Sequence, residues 1–402
     1  MSNTRRIEPA PAVAPLWGAA LLLAACGGGG GGMGSTPTAM ASNAMGSGSM
    51  GMSCMGSSMD TGSMDMNGMS CPAPTVALAS PPGIVSRTVT LSARVGVTEG
   101  DAVMRVDFLV DGARVGTATA APFSVSWDST TVGDGPHALT AMATDSFAQS
   151  VGAGPVTLQV DNHPTFAVTL SAAQIVPAPA SAASGSAHLS VDLGKGTVGG
   201  SVVLSGITAT AVTLNQAFAG ESGAQIIALE PGASSAQWNL PAGALLTADE
   251  VTALLQGALY VSVSSPANPA GELRGQITPA NVMVTFSTLS GPQEVPPVAI
   301  NATGVAAITV DTVANTLTVH LHASGVADAM AAELAEGAAG AIGKPLAALA
   351  RDPADAGHWS APLVPVGASD VDAFKASGWY LNVMTPADPD GAIRGQIEPG
   401  GP

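Results

Sequence analysis

The stretches Gly271-Glu272-Leu273-Arg274-Gly275-Gln276-Ile277 and Gly391-Ala392-Ile393-Arg394-Gly395-Gln396-Ile397 decide the fold, because each closes a segment of similar length. Backwards from these phrases, Tyr260 matches Tyr380, Trp238 matches Trp359, Asp192 matches Asp311, Gly185 matches Gly304 and Leu170 matches Leu289, at offsets of 119 to 121. Collinear matches at so even a spacing mean that a whole domain is duplicated. Copy one is expected from about Thr165 to Pro279 and copy two from about Met283 to Pro399.

Within each copy the pattern is that of short strands. In copy two, Ala306 to Val310 and Thr316 to Val319 alternate around a polar turn at Asp311 to Asn315. One short helix is expected in each copy. Thr247-Ala248-Asp249-Glu250 is a capping box opening Val251 to Gln256, with Gly257 as the stop, and Ser369 to Gly378 repeats the arrangement with Asp372 in the acidic place. Ahead of the copies, residues 73–162 also alternate, as in Val89 to Ala93, Val106 to Val110, Phe123 to Trp127 and His137 to Ala143, with Asp111-Gly112 as a hairpin signal. Phe108 and Trp127 occupy apolar positions of that alternation and are expected in its core.

Composition agrees with turn-rich β structure. Glycine and proline together make 79 residues (49 + 30) of 402, while charged residues are 10% and aromatics 3%. With 29 acidic against 12 basic side chains the formal charge is −17, which repels phosphate backbones and leaves nucleic acid without an electrostatic footing. Attachment to a membrane, if present, must be hydrophobic or covalent.

Residues 1–25 read as a signal peptide, with Arg5 and Arg6 as the basic region and a short apolar run from Ala14. The run is too short to span a bilayer. Its ending, Leu23-Ala24-Ala25-Cys26, resembles the lipobox of bacterial lipoproteins. That resemblance implies that Cys26 is lipidated and becomes the mature N-terminus. Gly27 is not the aspartate associated with inner-membrane retention, so an outer-membrane address is implied. An ordinary cleaved signal with a chance cysteine is the alternative.

Residues 26–72 contain almost no aliphatic or aromatic side chains and are expected to form a disordered tether. From Gly27 to Pro72 (72 − 27 + 1 = 46 residues) a coil of this composition reaches about 40 Å. The segment carries ten of the sixteen methionines: Met33, Met40, Met45, Met50, Met52, Met55, Met59, Met64, Met66 and Met69. Cys54 and Cys71 lie among them. Thioether and thiolate sulfurs favour Cu(I) and Ag(I), and Met50-Gly51-Met52 and Met64-Asp65-Met66 resemble the Met-x-Met clusters of copper-handling proteins. A low-complexity spacer in which methionine is a flexible filler is the other reading. Once Cys26 is lipidated, Cys54 and Cys71 are the remaining thiols, and in an oxidising compartment they form the candidate disulfide.

Two family resemblances extend these readings. The run Val106 to Asp145, VDFLVDGARVGTATAAPFSVSWDSTTVGDGPHALTAMATD, resembles bacterial immunoglobulin-like domains, which implies a spacer or adhesion module without catalysis. Both later copies resemble the CHRD domain, named after chordin, through Leu289 to Val298 (LSGPQEVPPV), a Tyr-bearing strand and the R-G-Q-I ending. The copy-one opening has drifted to LSAAQIVPAP. The resemblance implies sandwich or barrel-like β domains without an assigned catalytic activity in bacteria. Many bacterial CHRD copies carry A-H-I-H-x-G in mid-domain and N-V-H-T in the late strand, a metal-capable set. Neither copy retains it: Ala332 to Ala335 and Gln216 and Phe218 stand at the first motif, Met384 and Ser264 at the second.

The fold expected is therefore all-β, one Ig-like domain (73–162) and two CHRD-like domains (165–279 and 283–399), after the tether. His320 and His322 share one face of a strand, and with Leu317, Val319 and Leu321 taken as the inward set, that face is expected to meet solvent. Asp388-Pro389-Asp390-Gly391 reads as a turn, since it lacks the further ligands of a calcium loop. Arg274 and Arg394 are expected to pair with a carboxylate or cap carbonyls within their own domains. No nucleophile elbow, phosphate loop, HExxH helix or CxxC pair is present. A non-catalytic envelope lipoprotein that displays modules for a protein or glycan ligand, without a cofactor, is the function expected. Cu(I) or Ag(I) handling by Met50, Met52, Cys54, Met55, Met59, Met64, Met66, Met69 and Cys71 is the alternative.

Overall fold

In the computed structural model the residues described are 73–98 and 101–400. They fall in one unit. The first module is a two-sheet sandwich. Strands Thr75–Ala79, Thr88–Gly96 and Ser124–Asp128 form one sheet, and Ile84–Val85, Val103–Val110, Ala113–Ala118, Gly135–Asp145 and Ser150–Val160 form the other. Alternation puts Leu91 and Trp127 of one sheet and Phe108, Leu139 and Leu158 of the other into a shared core. The Asp111-Gly112 turn joins two strands with positive φ at both residues, 50° and 80°, the conformation that Asp-Gly sequences favour.

Copy two closes into an eight-stranded antiparallel barrel. In order around it run Val282–Ser290, Thr303–Asp311, Thr316–Ser324, His358–Pro365, Lys344–Arg351, Ala331–Glu336, Trp379–Met384 and Ile393–Ile397. The R-G-Q-I strand is the closing stave, paired to Val282–Ser290 through Ser290 and Arg394. Inward positions are filled by Ile308, Val319, Leu321, Leu334, Leu381 and Ile393, among others, so the interior is a packed core. Copy one repeats the same strand order, but its counterpart of Lys344–Arg351 is divided into Ala224–Ala228 and Glu230–Pro231, and the sheet stays open there.

Each copy carries one helix against its sheet. Ala248–Leu255 begins with the full capping box: the Glu250 amide donates to Thr247 Oγ1 and the Thr247 amide to Glu250 Oε2. Ala368–Lys375 differs from expectation. It starts at Gly367, whose amide donates to Asp370 Oδ2 at 2.8 Å, so Asp370 and not Asp372 occupies the capping place. Glycine there supplies no side-chain oxygen, which leaves half of the box.

Candidate functional site

The repeated arginine is a tie between the closing strand and the mid-domain loop. Arg274 is 4% exposed and donates to the carbonyls of Glu221 and Phe218 and to Gln276 Oε1, with its guanidinium 3.6 Å from the centre of the Tyr260 ring. Gln276 in turn donates to Ala217 O and Gly257 O. Copy two repeats the tie with Arg394, Ala338 O, Ala341 O, Gln396 and Tyr380. Both arginines thus cap carbonyls within their domains, as the sequence suggested. Burial pulls Arg274 down to about 10, which still leaves it cationic at neutral pH.

In copy one that loop also reaches copy two. Gly220, at φ +91°, lies so close to the strand Thr316–Ser324 that an added Cβ would stand 2.8 Å from His320 Cβ and 2.9 Å from Ala307 Cβ. His322 Nε2 donates to Gly220 O at 2.9 Å. The face expected to meet solvent is therefore covered, and His320 is 5% exposed. The alternation itself was read correctly, for Leu317, Val319 and Leu321 do point inward. What alternation does not show is a neighbouring domain seated on the other face.

A third histidine, not singled out from the sequence, completes the cluster. His358 lies opposite His322 across the strand pair, and their rings stack at 4.6 Å. His358 Nε2 lies 3.2 Å from His320 Nδ1, and the rings are nearly parallel (10°) with centroids 5.5 Å apart. Two ring radii of about 1.15 Å each added to that N···N distance give the same separation, so the rings meet edge to edge in a hydrogen bond. Asp352 Oδ2 lies 3.3 Å from His358 Nδ1, and Glu221 Oε2 lies 3.5 Å from His320 Nε2.

Asp352, His358, His320 and Glu221 thus form a line that crosses from copy two to copy one. A neutral imidazole carries one proton on its two ring nitrogens, so His320 can donate at only one of its two contacts in this line. Burial, with His358, His322 and the Arg274 cation, pulls His320 down to about 4, so it is neutral at pH 7. The contact to Glu221, whose side chain is half exposed, is the longest of the three.

A further polar group occupies one end of the copy-two barrel. Glu294, from the Gly-Pro-Gln-Glu opening, is 7% exposed and lines a cleft of 440 Å³ together with Gln293, Pro297, Gly340 and Arg394. Burial pushes its carboxyl up to about 7, opposed by Arg394 and by the Val295 amide and reinforced by Asp388. Glu294 Oε1 and the nearby Asn382 Oδ1 accept no hydrogen bond. The sequence offered Glu294 only as part of a motif, and nothing in its spacing ties it to Asn382, 88 residues on (382 − 294).

Cys26, Met50, Met52, Cys54, Met55, Met59, Met64, Met66, Met69 and Cys71 lie outside the described residues.

Family models agree with the architecture. The CHRD domain model matches residues 166–277 and 285–397, and the bacterial Ig domain model matches 74–141. No curated protein matches. Among solved structures, the fibronectin(III)-like modules of Clostridium thermocellum CbhA are 26% identical over 21% of this chain and 93% of theirs, with a TM-score of 0.18.

Proposed function

The chain belongs to the CHRD domain family, with a bacterial Ig-like domain ahead of the two copies, and from that premise we propose a non-catalytic, lipid-anchored protein of the bacterial cell envelope. Its β modules display binding surfaces to an envelope or extracellular protein or glycan. Ig-like and CHRD domains are typically non-enzymatic modules. One observation carries the reading for this chain: the repeated polar residues hold the domains together. Arg274, Gln276 and Tyr260, and their counterparts Arg394, Gln396 and Tyr380, engage main-chain groups of their own loops. They are not arranged around a reacting centre.

The anchor rests on Leu23-Ala24-Ala25-Cys26, and its place in the outer membrane on Gly27. Cys26→Ser is expected to release the protein from the membrane fraction. A variant that stays with the outer membrane after a salt wash would refute the anchor.

Ten methionines and two cysteines ahead of the modules support a second reading, that residues 33–71 take up Cu(I) or Ag(I) as an adjunct to display. Native mass spectrometry of the full chain with Cu(I) tests it. Deletion of Met33 to Ser70 is expected to abolish uptake and leave the β-sheet circular dichroism unchanged, whereas uptake that survives the deletion refutes it.

A further inference from the structure

Where the closing strand of copy two begins, the chain brings three oxygen acceptors to one spot. A Cβ built on Gly391 would lie 2.5 Å from Asn382 Oδ1, 2.6 Å from Glu294 Oε2 and 2.7 Å from Glu294 Oε1. The two side chains therefore converge on the open face of a glycine at φ +150°, and Asn382 Oδ1 lies within 5.2 Å (2.5 + 2.7) of either carboxylate oxygen. Both residues are more than nine-tenths buried, and Glu294 Oε1 and Asn382 Oδ1 have no donor. Turning the Asn382 amide over does not help. Its Nδ2 donates to Asp390 O at 2.9 Å, and reversal would set two acceptors against each other there.

Arg394, which lines the same cleft, makes no ion pair with the carboxylate. Its donors are directed to Ala338 O, Ala341 O and Gln396 Oε1, and its guanidinium lies on Tyr380. Asp388, in the turn before Gly391, adds a second negative charge to the surroundings of Glu294.

Copy one is a natural control. Ile175 and Ser262 stand where copy two has Glu294 and Asn382, and a Cβ on Gly271 would meet them only at 3.7 Å. The carboxylate of that copy, Glu272, accepts from Ser181 Oγ at 2.6 Å and from Ser265 Oγ. There the buried carboxylate is met by two hydroxyl donors. In copy two the fold sets the carboxylate against another acceptor.

We propose that this spot in copy two is a binding site for a hard divalent cation, Ca2+ by its chemistry, held by the Glu294 carboxylate and the Asn382 amide oxygen, with Asp388 in the adjacent turn supplying further negative charge. An all-oxygen donor set suits Ca2+ and disfavours Cu(I) or Zn2+. The Asp388-Pro389-Asp390-Gly391 turn, which lacks calcium ligands further along the sequence, finds them instead on two other elements. Occupancy would tie the opening segment, the late strand and the closing strand together at the barrel seam.

The test is calcium titration of the full chain by isothermal calorimetry, with thermal unfolding in CaCl2 and in EDTA. One Ca2+ per chain is expected, with a Kd of about 10⁻⁴ to 10⁻³ M, typical of extracellular calcium modules. Glu294→Gln is expected to remove the heat and the calcium-dependent rise in Tm, while in EDTA it unfolds no earlier than the wild type, since its amide can donate to Asn382 Oδ1. Asn382→Ser, the residue of copy one, is expected to weaken binding at least tenfold. Two results would overturn the site. One is a wild-type chain indifferent to calcium, which would mean that Glu294 and Asn382 share a proton; the other is calcium binding that survives Glu294→Gln.

Discussion

Acidification should weaken the line of groups that crosses between the copies, and His320→Gln should remove much of that sensitivity. His320 lies at about 4 in the folded chain against an ordinary value of 6.5. Between those values the unfolded chain binds a proton that the folded chain refuses, so this contribution is fully present above pH 6.5 and is lost as pH falls towards 4. A separation of about 2.5 pH units at 1.36 kcal/mol each corresponds to about 3 kcal/mol in all, of which about 2 kcal/mol is gone by pH 5. Burial sets the direction, and the groups facing His320 add to it. His358 and His322 on the barrel and Arg274 from copy one oppose its charge, while Glu221 is half exposed and weakened by water. The assay is urea unfolding of the full chain at pH 8 and pH 5, followed by tryptophan fluorescence in the transition that carries Trp359 and Trp379. Wild type should lose about 2 kcal/mol more than His320→Gln between the two pH values. Equal losses in the two chains would refute the assignment of a buried, neutral His320.

Gly220→Ala places a methyl group 2.8 Å from His320 Cβ in a backbone region that alanine rarely adopts, and it should cost about 1–3 kcal/mol of the contact between copies. Limited proteolysis between Pro279 and Met283 reads this, and unchanged cleavage would count against the packing. Arg274→Lys replaces a planar fork with a single ammonium that cannot reach Glu221 O, Phe218 O and Gln276 together, and should lower the copy-one transition by about 2–4 kcal/mol. A loss below about 1 kcal/mol would show that the loop does not depend on the fork.

How much was legible in the sequence follows from the range of the interactions concerned. Strand alternation, the hairpin at Asp111-Gly112 and the capping box at Thr247 depend on residues within a few positions of one another, and each stands in the structure as the sequence indicates. The duplication was legible for a different reason: matched residues such as Tyr260 and Tyr380 keep their order whatever they touch. Even the roles of Arg274 and Arg394 could be narrowed to a carboxylate partner or carbonyl capping inside their own domains, because they recur at matching positions in an arginine-poor chain.

Tertiary structure alone decided the rest. It covered His320 by bringing Gly220, 100 residues earlier (320 − 220), onto a strand face whose polar pattern suits solvent equally well. It aligned His358 with His322 through a register that neither segment specifies by itself, and it set Glu294 against Asn382 at a barrel seam closed by a third strand. A one-dimensional pattern reports which way a side chain points from its own strand. What it meets there depends on barrel closure and on the neighbouring domain, and both are products of packing.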